Sequence, residues 1–350
     1  MVLFRGILHY KFFLLFLALA FSLLVKNVQA QNRYRVMFYN VENLFDPFND
    51  SLKNDDEFTA EGSRYWTWRK MTDKVNNVYK VITAVGEWDP PTLVGLCEIE
   101  NRFVVERITK HTPLSKFNYQ IVHRESPDFR GIDVALIYRP DQFTVEEERY
   151  FRVSYPDNPD RASRDVLYAR GIIDGLDTLH VFVNHWPSKY GGALASEPGR
   201  IAAGKLVRQK VDSIKIFHPN ARIIIMGDFN DTPSSTPLVE ALVASPPEKP
   251  FTTEGLYNLH FPYEAKGEGS LKYQGAWEVI DMMIVSEGLL SRNHGVYTNA
   301  NGAKIFRADF LLEDDDRFVG VVPFRTFIGF RYHGGFSDHL PIYIDLFPNR

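Results

Sequence analysis

The stretch IIIMGDFNDTP, residues 223–233, joins an apolar run to a polar end. Three isoleucines and a methionine in succession are typical of a β-strand that is buried on both faces. The run stops at Gly227 and Asp228, and Asn230 and Asp231 then add an amide and a second carboxylate. A strand fixed in a sheet holds the groups at its end rigidly, which a functional site requires. The stretch therefore predicts a buried strand whose end carries the side chains of a site.

The side chains at the polar end of this stretch are predicted to alternate between the two sides of the strand. In an extended chain, Asp228 and Asn230 point to one side of the strand and Phe229 points to the other. We expect Asp228 and Asn230 to face one ligand together, while Phe229 packs in the core. We expect Asp231 to be a turn or capping residue.

The same succession of apolar run and polar end occurs five more times along the chain. The polar residues at these ends are Asn40, Glu42 and Asn43; Glu98 and Glu100; Asn184 and His185; Asp281; and Ser337, Asp338 and His339. A single Asp or Asn beside a strand is usually a turn former or a helix cap. Six ends rich in oxygen and imidazole groups indicate a site for a hard cation such as Mg²⁺ or Mn²⁺. The sequence has no His-Glu-x-x-His motif and no pair of cysteines, so it does not predict a dedicated zinc site.

Strand-like runs and helical patterns alternate along the chain. Strands are predicted at residues 34–39, 92–97, 119–122, 133–138, 166–173, 178–184, 222–226, 279–285 and 342–345, and helices at residues 68–85, 102–110, 194–216 and 236–244. The pattern favours two packed, mixed sheets with helices on the outside. In the third helix we expect Arg200 to be exposed to solvent. The long segments 46–64, 246–274 and 313–336 are expected to be irregular.

Residues 1–30 have the features of a secretory signal peptide. A basic start is followed by an apolar run at residues 12–25 and by a small-residue site, Val28-Gln29-Ala30. The apolar run is shorter than the ~20 residues that span a bilayer, so a membrane anchor is the less favoured alternative. We expect a secreted or periplasmic protein without stable membrane insertion after signal removal, with a single catalytic domain at residues 31–350.

Charge and cysteine content narrow the class of protein. The net charge is −4, from 40 basic and 44 acidic residues; without residues 1–30, which contain three basic residues, it becomes −7. This argues against a wide, sequence-independent nucleic-acid surface but allows a local phosphate site. Cys97 is the only cysteine, so the fold depends on packing and not on internal disulfides. We expect Cys97 to be a buried small hydrophobe, and the protein to be a monomer.

The motifs, taken in order, resemble the endonuclease/exonuclease/phosphatase superfamily over residues 35–344. The matching residues are Asn40-Val41-Glu42, Glu98, Asn184-His185, Gly227-Asp228-Phe229-Asn230, Asp281 and Ser337-Asp338-His339. The resemblance implies a DNase I-like fold, an α/β four-layer sandwich of two mixed β-sheets flanked by helices. It also implies divalent-metal-dependent cleavage of a phosphodiester or phosphomonoester, with Mg²⁺ or Mn²⁺ as the cofactor.

The resemblance assigns residues to a metal site. Glu98 resembles the direct metal ligand of the family, and Asp338 resembles a further metal-site carboxylate. Asn40 and Glu42 lie close by as phosphate-orienting or outer-sphere groups.

The resemblance also assigns catalytic roles. His339 and Asp281 are similar to the histidine–carboxylate pair of the family, which either activates water or stabilises the transition state. Asp228 is expected to orient the water, and the amide of Asn230 to donate a hydrogen bond to a phosphoryl oxygen. His185 resembles a second histidine that contacts phosphate or protonates the leaving group.

Several residues are candidates for substrate binding. They are Arg130, Asp133, Asn184, Lys189 and Tyr190. Asp133 either orients His185 or caps a turn, and Arg130 either clamps phosphate or is a solvated loop residue. The loop 186–192 and the segment 324–336 resemble a subgroup of secreted bacterial nucleases.

Three functions follow, two of them hydrolases and the third a binding protein. A secreted nuclease is favoured. A phospholipid or small-molecule phosphodiesterase or phosphatase is the alternative, and a lipid enzyme would need an exposed apolar loop, for which residues 318–322 are the candidate. A catalytically inactive binding protein of the same fold is the third reading.

Overall fold

The computed structural model describes residues 33–155 and 163–349. The predicted signal peptide lies outside the described residues, so it and the division of the chain after residue 30 remain predictions. Among the described helices, none has the length and apolar composition that crossing a membrane requires.

The described residues contain twenty β-strands and five α-helices. The strands are β1 (Tyr34–Leu44), β2 (Leu93–Ile99), β3 (Gln120–Val122), β4 (Asp133–Tyr138), β5 (Phe143–Phe151), β6 (Val166–Ile173), β7 (Asp177–His185), β8 (Arg222–Asp228), β9 (Ala244–Ser245), β10 (Leu256–Asn258), β11 (Leu271–Tyr273), β12 (Ala276–Glu278), β13 (Asp281–Ser286), β14 (Val296–Tyr297), β15 (Lys304–Ile305), β16 (Leu312–Asp314), β17 (Val321–Pro323), β18 (Phe327–Ile328), β19 (Arg331–Tyr332) and β20 (Ile342–Pro348). The helices are α1 (Trp68–Gly86), α2 (Arg102–His111), α3 (Ala193–Phe217), α4 (Phe261–Glu264) and α5 (Glu287–Leu290). Short 3₁₀ turns lie at Asp56–Phe58, Pro113–Phe117 and Asp309–Leu311, and a π-helical turn lies at Pro237–Ala241.

Two mixed sheets of seven strands each form the centre of the described part of the chain. The first has the order β14-β20-β1-β2-β4-β3, with β15 also paired to β20, and the second has the order β5-β6-β7-β8-β13-β10-β9. In the first sheet β1 and β2 run parallel, and in the second sheet β7 and β8 run parallel. The strand β8 then pairs with β13 in the antiparallel direction. The pairs β11-β12, β16-β17 and β18-β19 form separate two-stranded ribbons.

The apolar residues of each central strand alternate between two clusters. On β1, Val36 and Phe38 pack between the two sheets, whereas Met37 and Tyr39 face a second cluster that contains the apolar residues of α1 and α2. The strand β8 repeats the pattern with Ile224 and Met226 turned inward and Ile223 and Ile225 turned toward α3. Both faces of both sheets are therefore covered, which explains why these strands read as nearly continuous apolar runs. The arrangement confirms the predicted four-layer sandwich.

Helix α3 departs from the prediction in the residues that it buries. Arg200 was expected to be exposed, but it is buried, and its Nε donates to Oδ2 of Asp231 at 2.7 Å. Small residues make up the first part of the buried face, and Val207 and Val211 continue it. A β-carbon on Gly204 would lie only 2.7 Å from the carbonyl oxygen of Pro237. Asp231 is thus the partner of a buried arginine, and not merely a turn residue.

All nine predicted strands are present, two of them (β4 and β6) with the predicted ends and seven with shifted ends. Three of the four predicted helices are α-helices. The predicted helix at residues 236–244 is wrong, because only the π-helical turn Pro237–Ala241 forms there. The predicted strands at residues 166–173 and 178–184 correspond to β6 and β7, which pair in the antiparallel direction as a hairpin.

Candidate active site

Three predicted site residues stand side by side on neighbouring strands of the second sheet. His185, at the end of β7, is opposite Asp228 at the end of β8. Asp228 is in turn opposite Asp281, the first residue of β13. All three residues are buried. Because the antiparallel β13 begins where β8 ends, the strand register alone brings two carboxylates and one imidazole to the same edge.

The first sheet meets this edge through Asn40 on β1. The side-chain nitrogen of Asn40 donates to Oδ2 of Asp228 at 3.0 Å and to Oε1 of Glu98 at 3.2 Å. The same nitrogen lies 3.4 Å from Nε2 of His339. The side-chain oxygen of Asn40 accepts the backbone N–H of Glu42 at 2.9 Å, which fixes the orientation of the amide. Asn40 therefore connects the two sheets at the site.

Three of the site residues have a left-handed backbone. The φ angles are 52° at Glu42, 58° at Glu98 and 50° at Asn230. Residues other than glycine adopt this conformation rarely, and such residues cluster at functional sites. The pairing of β1 and β2 with their neighbours shifts register around both glutamates, as it does at a β-bulge. The irregular backbone turns these carboxylates away from the ladder of the sheet.

Gly227, Phe229 and Asn230 of the Gly-Asp-Phe-Asn motif each have a structural role. A β-carbon on Gly227 would lie 2.4 Å from a carbonyl oxygen of β7, so glycine is required for this close pairing. Phe229 is buried with its ring edge-on to Trp186, at 4.8 Å between centroids. The side-chain nitrogen of Asn230 donates to the carbonyl oxygen of Trp186 at 3.0 Å. The expectation that Asp228 and Asn230 project together from an extended strand is wrong, because β8 ends at Asp228.

His339 and Asp281 form a close pair. Nδ1 of His339 lies 2.7 Å from Oδ2 of Asp281, and the hydroxyl of Ser270 donates to the same oxygen. Burial lowers the pKa of His339, but the charges of Asp281, Asp338 and Asp228 outweigh burial and raise this pKa well above its ordinary value. His339 is thus an imidazolium at neutral pH, with Nε2 turned toward the site.

Asp228 titrates near neutral pH. Burial and the charge of Asp281 raise the pKa of Asp228 to about 7, although His339 and the hydrogen bonds from Asn230 and Asn40 oppose the shift. A carboxyl with such a pKa can accept a proton at neutral pH, as a general base does.

His185 is the second imidazole of the site. Its Nε2 lies 3.8 Å from Oδ2 of Asp228 and 3.9 Å from Oε1 of Glu98. Burial and the charges of Arg164, Arg130 and His339 lower the pKa of His185 well below its ordinary value, so it is neutral. Its Nδ1 is buried without a hydrogen-bond partner among the described residues.

Glu98 is suited to hold a divalent cation. Its Oε2 accepts the backbone N–H of Asn43 at 3.0 Å and its Oε1 accepts the amide of Asn40, which leaves lone pairs on both oxygens. Within residues 33–155 and 163–349, no Lys or Arg forms an ion pair with Glu98, and 19% of its side chain is exposed. A free carboxylate beside an amide offers the oxygen donors that Mg²⁺ and Mn²⁺ prefer. The residues present therefore fit such a cation.

Cys97 also lies near the site. Its sulfur is within 4.8 Å of ligand atoms of His185 and Asp228. Burial, together with the charges of Asp228, Glu98 and Asp281, raises the pKa of the thiol well above its ordinary value. Since only the thiolate binds metals well, Cys97 is a packing residue here, as its sequence context predicts.

Glu42 and Asp338 both contact the guanidinium of Arg325. Nη2 of Arg325 donates to Oδ2 of Asp338 at 2.9 Å and to Oε1 of Glu42 at 3.3 Å. The backbone N–H of Thr326 donates to Oε2 of Glu42 at 2.6 Å. Both oxygens of Glu42 are therefore engaged within the protein.

Sequence reasoning missed two side chains that support these groups. Ser270 donates to Asp281, and the buried Lys74 on α1 donates to the hydroxyl of Thr326. The sequence contains a signal for Lys74, because it shares the apolar face of its helix with Met71 and Val78, at spacings of three and four.

A family comparison agrees with the fold and the motifs. The model of the Endonuclease/Exonuclease/phosphatase family matches residues 35–347. The chain belongs to the endonuclease/exonuclease/phosphatase family. The resemblance drawn from the motifs is thereby confirmed at the level of the superfamily, whose members are phosphoesterases. No curated protein sequence matches the chain.

Solved structures of the endonuclease/exonuclease/phosphatase family share the fold. The catalytic domain of human nocturnin with bound sulfate is 16% identical, with a TM-score of 0.52 over 90% of this chain and 94% of that chain. A family protein from Bacteroides thetaiotaomicron is 16% identical, with a TM-score of 0.53 over 90% and 97%. TDP2 from D. rerio, complexed with a single-strand DNA product, is 15% identical, with a TM-score of 0.52 over 90% and 99%. These likenesses confirm the DNase I-like architecture.

Two of the predicted substrate-binding residues, Asn184 and Asp133, are buried and form hydrogen bonds within the protein. Asn184 is buried, donates to the carbonyl oxygen of Met226 at 3.2 Å and accepts the indole N–H of Trp186 at 3.1 Å. Asp133 accepts the backbone N–H of Ser126 at 2.8 Å and lies 3.1 Å from Nε2 of His123. The structure does not bring Asp133 into a hydrogen bond with His185, so the predicted pairing of these two residues is wrong.

The other three predicted substrate-binding residues lie at the surface. Arg130 is partly exposed, and its Nε lies 3.7 Å from Oδ1 of Asp128. Nζ of Lys189 lies 3.5 Å from Oδ1 of Asp231. Tyr190 is 96% exposed. Their roles toward a substrate remain predictions.

Proposed function

We propose that the protein is a divalent-metal-dependent phosphodiesterase that is exported and hydrolyses nucleic acid. The observation that carries this proposal is the meeting of both sheets at Asn40, which places Glu98, Asp228 and His339 around one point. A fold without catalytic activity has no physical need to bury several carboxylates beside a protonated histidine, since buried charges are costly. This argues against an inactive binding protein.

The acid and base roles follow from the opposite pKa shifts of the site groups. Asp228, with a pKa of about 7, positions and deprotonates the attacking water. His339, held as imidazolium by Asp281, stabilises the negative charge that develops on the phosphoryl oxygens. His185 and His339 turn Nε2 toward Oδ2 of Asp228 at 3.8 and 3.9 Å, so two imidazoles flank one carboxylate. Groups whose environments push their pKa values apart divide acid and base roles in this way.

The cation and the amide complete the chemistry. Glu98, with Asn40 and the oxygen of Asp338 that Arg325 does not contact, would hold Mg²⁺ or Mn²⁺, which when bound polarises a phosphoryl oxygen. Asn40 donates its two side-chain N–H groups to Asp228 and Glu98 and so holds these carboxylates at a fixed spacing.

Nucleic acid is the favoured substrate class. One structure of the same fold is TDP2 complexed with a single-strand DNA product, and we extend this substrate class to the present chain. Export is supported by the sequence features of residues 1–30.

A lipid substrate is the second candidate, because an apolar turn is exposed. In the turn between β16 and β17, Val319 is 99% exposed and Phe318 is also exposed. An exposed apolar turn of this kind is suited to contact with a lipid surface.

The deciding experiment offers the purified chain, residues 31–350, four substrates: plasmid DNA, RNA, sphingomyelin vesicles and bis-p-nitrophenyl phosphate. Each is tested with Mg²⁺, with Mn²⁺ and with chelator, and Glu98→Gln is compared with the control Glu106→Gln on α2. We expect nucleic-acid turnover that chelator and Glu98→Gln abolish. Turnover of lipid alone supports the second candidate, and no turnover of any substrate supports an inactive binding protein.

A further inference from the structure

The segment that carries Arg325 is fastened to the body of the fold. We call residues 324–336 the arginine hairpin; they contain β18 and β19. The backbone N–H of Phe336 donates to the carbonyl oxygen of Phe324 at 2.6 Å, which closes the hairpin at its base. On α1, Lys74 donates to the carbonyl oxygen of Phe336, and Asn77 donates to two hairpin carbonyl oxygens at 3.2 and 3.0 Å.

Aromatic packing also holds the arginine hairpin in place. The ring of Trp66 lies 5.8 Å from that of Phe327 and 6.4 Å from that of Tyr332, measured between centroids. Polar anchors and ring packing together hold the backbone at Arg325 in place. Arg325 is therefore a positioned group, although 42% of its side chain is exposed.

Arg325 stands among carboxylates where a metal ion would otherwise be expected. Its Nη2 contacts Oδ2 of Asp338 at 2.9 Å, and both Nε and Nη2 lie 3.3 Å from Oε1 of Glu42. The charge of Glu98 also acts on the guanidinium; together with the charges of Asp338 and Glu42 it outweighs burial and raises the pKa of Arg325. The guanidinium is thus a permanent charge in direct contact with two carboxylates, those of Glu42 and Asp338.

The contacts divide the acidic residues into two halves. Glu42 gives one oxygen to Arg325 and the other to the backbone N–H of Thr326, so both of its oxygens already have partners within the protein. Asp338 gives one oxygen to Arg325. Glu98 forms no ion pair with Lys or Arg within the described ranges. A second divalent cation between Glu42 and Asp338 would have to displace a bound guanidinium and would meet its positive charge at close range.

We propose that Arg325 is a resident cation that fills the Glu42–Asp338 half of the acidic site, so that the protein binds one divalent cation fewer than its carboxylates would otherwise hold. The proposal deepens the proposed function and rests on it only in placing the remaining cation at Glu98. It reassigns Glu42 from the predicted metal site to the support of an arginine.

Cation counting tests the proposal without any measurement of activity. Mn²⁺ alone is titrated by calorimetry into chelator-treated protein, and Arg325→Met is compared with wild type and with Arg331→Ala, a control on the same hairpin. We expect Arg325→Met to bind one more Mn²⁺ per chain than wild type, and Arg331→Ala to match wild type. Equal stoichiometry and affinity in Arg325→Met and wild type would overturn the proposal.

A second variant keeps the test decisive if Arg325→Met does not fold. Glu42→Gln retains an acceptor for Thr326 but loses its charge, and we expect its Mn²⁺ affinity to equal that of wild type. A fall of about tenfold, as the loss of a metal-site group causes, would overturn the proposal. If wild type binds no Mn²⁺, the proposed cation at Glu98 fails, whereas a site gained by Arg325→Met still supports the role of Arg325.

Discussion

Nδ1 of His339 lies 2.7 Å from Oδ2 of Asp281, although the two residues are 58 positions apart in the chain. The pair brings the Ser-Asp-His motif before β20 to the first residue of β13. The carboxylate orients the ring and keeps it charged, and Nε2 is left free to act on a phosphate.

Replacement of His339 by alanine is expected to lower turnover by at least ~10², the usual contribution of a general acid–base group. The reason is the loss of the positive charge that Asp281 and Asp338 maintain at this point. Turnover is measured on the substrate found active, and circular dichroism checks the fold. His218→Ala, at an exposed position, serves as the control. Near-normal turnover in His339→Ala would refute the assigned role.

Replacement of Asp281 by asparagine is expected to lower the pKa of His339. The variant removes the carboxylate charge that raises this pKa, while burial, which lowers it, remains. The imidazole should then lose its proton at a lower pH than in wild type. Titration of the histidine ring signals by NMR measures the midpoint directly, with the exposed His218 as an internal reference. An unchanged midpoint for His339 would contradict the pairing.

Replacement of Asp228 by asparagine is expected to stabilise the metal-free protein at pH 8 more than at pH 5. The pKa of Asp228 is about 7 in the folded state against 3.8 as the ordinary value, so the folded state binds the proton more tightly. The unfolding free energy of wild type therefore falls as the pH rises from about 4 to about 7. Asparagine carries no such dependence.

Urea denaturation at the two pH values, with chelator present, measures this difference. Asp316→Asn, the same substitution at an exposed position, is the matched control. If Asp228→Asn differs from wild type by the same amount at pH 5 and pH 8, the raised pKa of Asp228 is ruled out.

Replacement of Arg200 by alanine is expected to lower the free energy of unfolding by about 3–5 kcal/mol, because it removes the buried partner of the mostly buried Asp231 and leaves only Lys189, whose side chain is 37% exposed. Arg208→Ala, on the same helix, removes an ion pair whose partner Asp212 is half exposed, and should cost about 0.5 kcal/mol or less. Chemical denaturation of both variants makes the comparison. Equal small losses would mean that the Arg200–Asp231 pair does not stabilise the fold.

The sequence predicts well those features that depend on local pattern. The run before Asp228 is apolar because both faces of β8 are covered, so β8 is evident from composition alone. Strand β5 was missed because it lies at the edge of its sheet, where polar side chains such as those of residues 146–149 face water and break the apolar pattern. The site residues could be predicted because each lies beside an apolar run, at the end of a strand. This pattern identifies them without any knowledge of the residues that they contact.

The partners could not be predicted, because they come from distant parts of the chain. The contact of Arg325 with Glu42 joins positions 283 apart, and no local pattern encodes it. The left-handed backbone at Glu98 likewise arises from the shifted pairing of β2 with β4, which is a property of the assembled sheet. Arg200 was misassigned because an arginine on a helix is usually solvated, and only the fold supplies Asp231 as its partner.

The apolar layer between the two sheets determines how far apart the site residues of the two sheets lie. Asn40 and Asp228 belong to different sheets, and the side-chain nitrogen of Asn40 lies 3.0 Å from Oδ2 of Asp228. The side chains packed between the sheets, Phe38 and Met226 among them, keep the two strands at the separation that this contact requires. A larger or smaller side chain in that layer would change how far apart the two halves of the site stand. The spacing of the site residues thus depends on the volume of the interior, and substitutions between the two sheets are expected to change it.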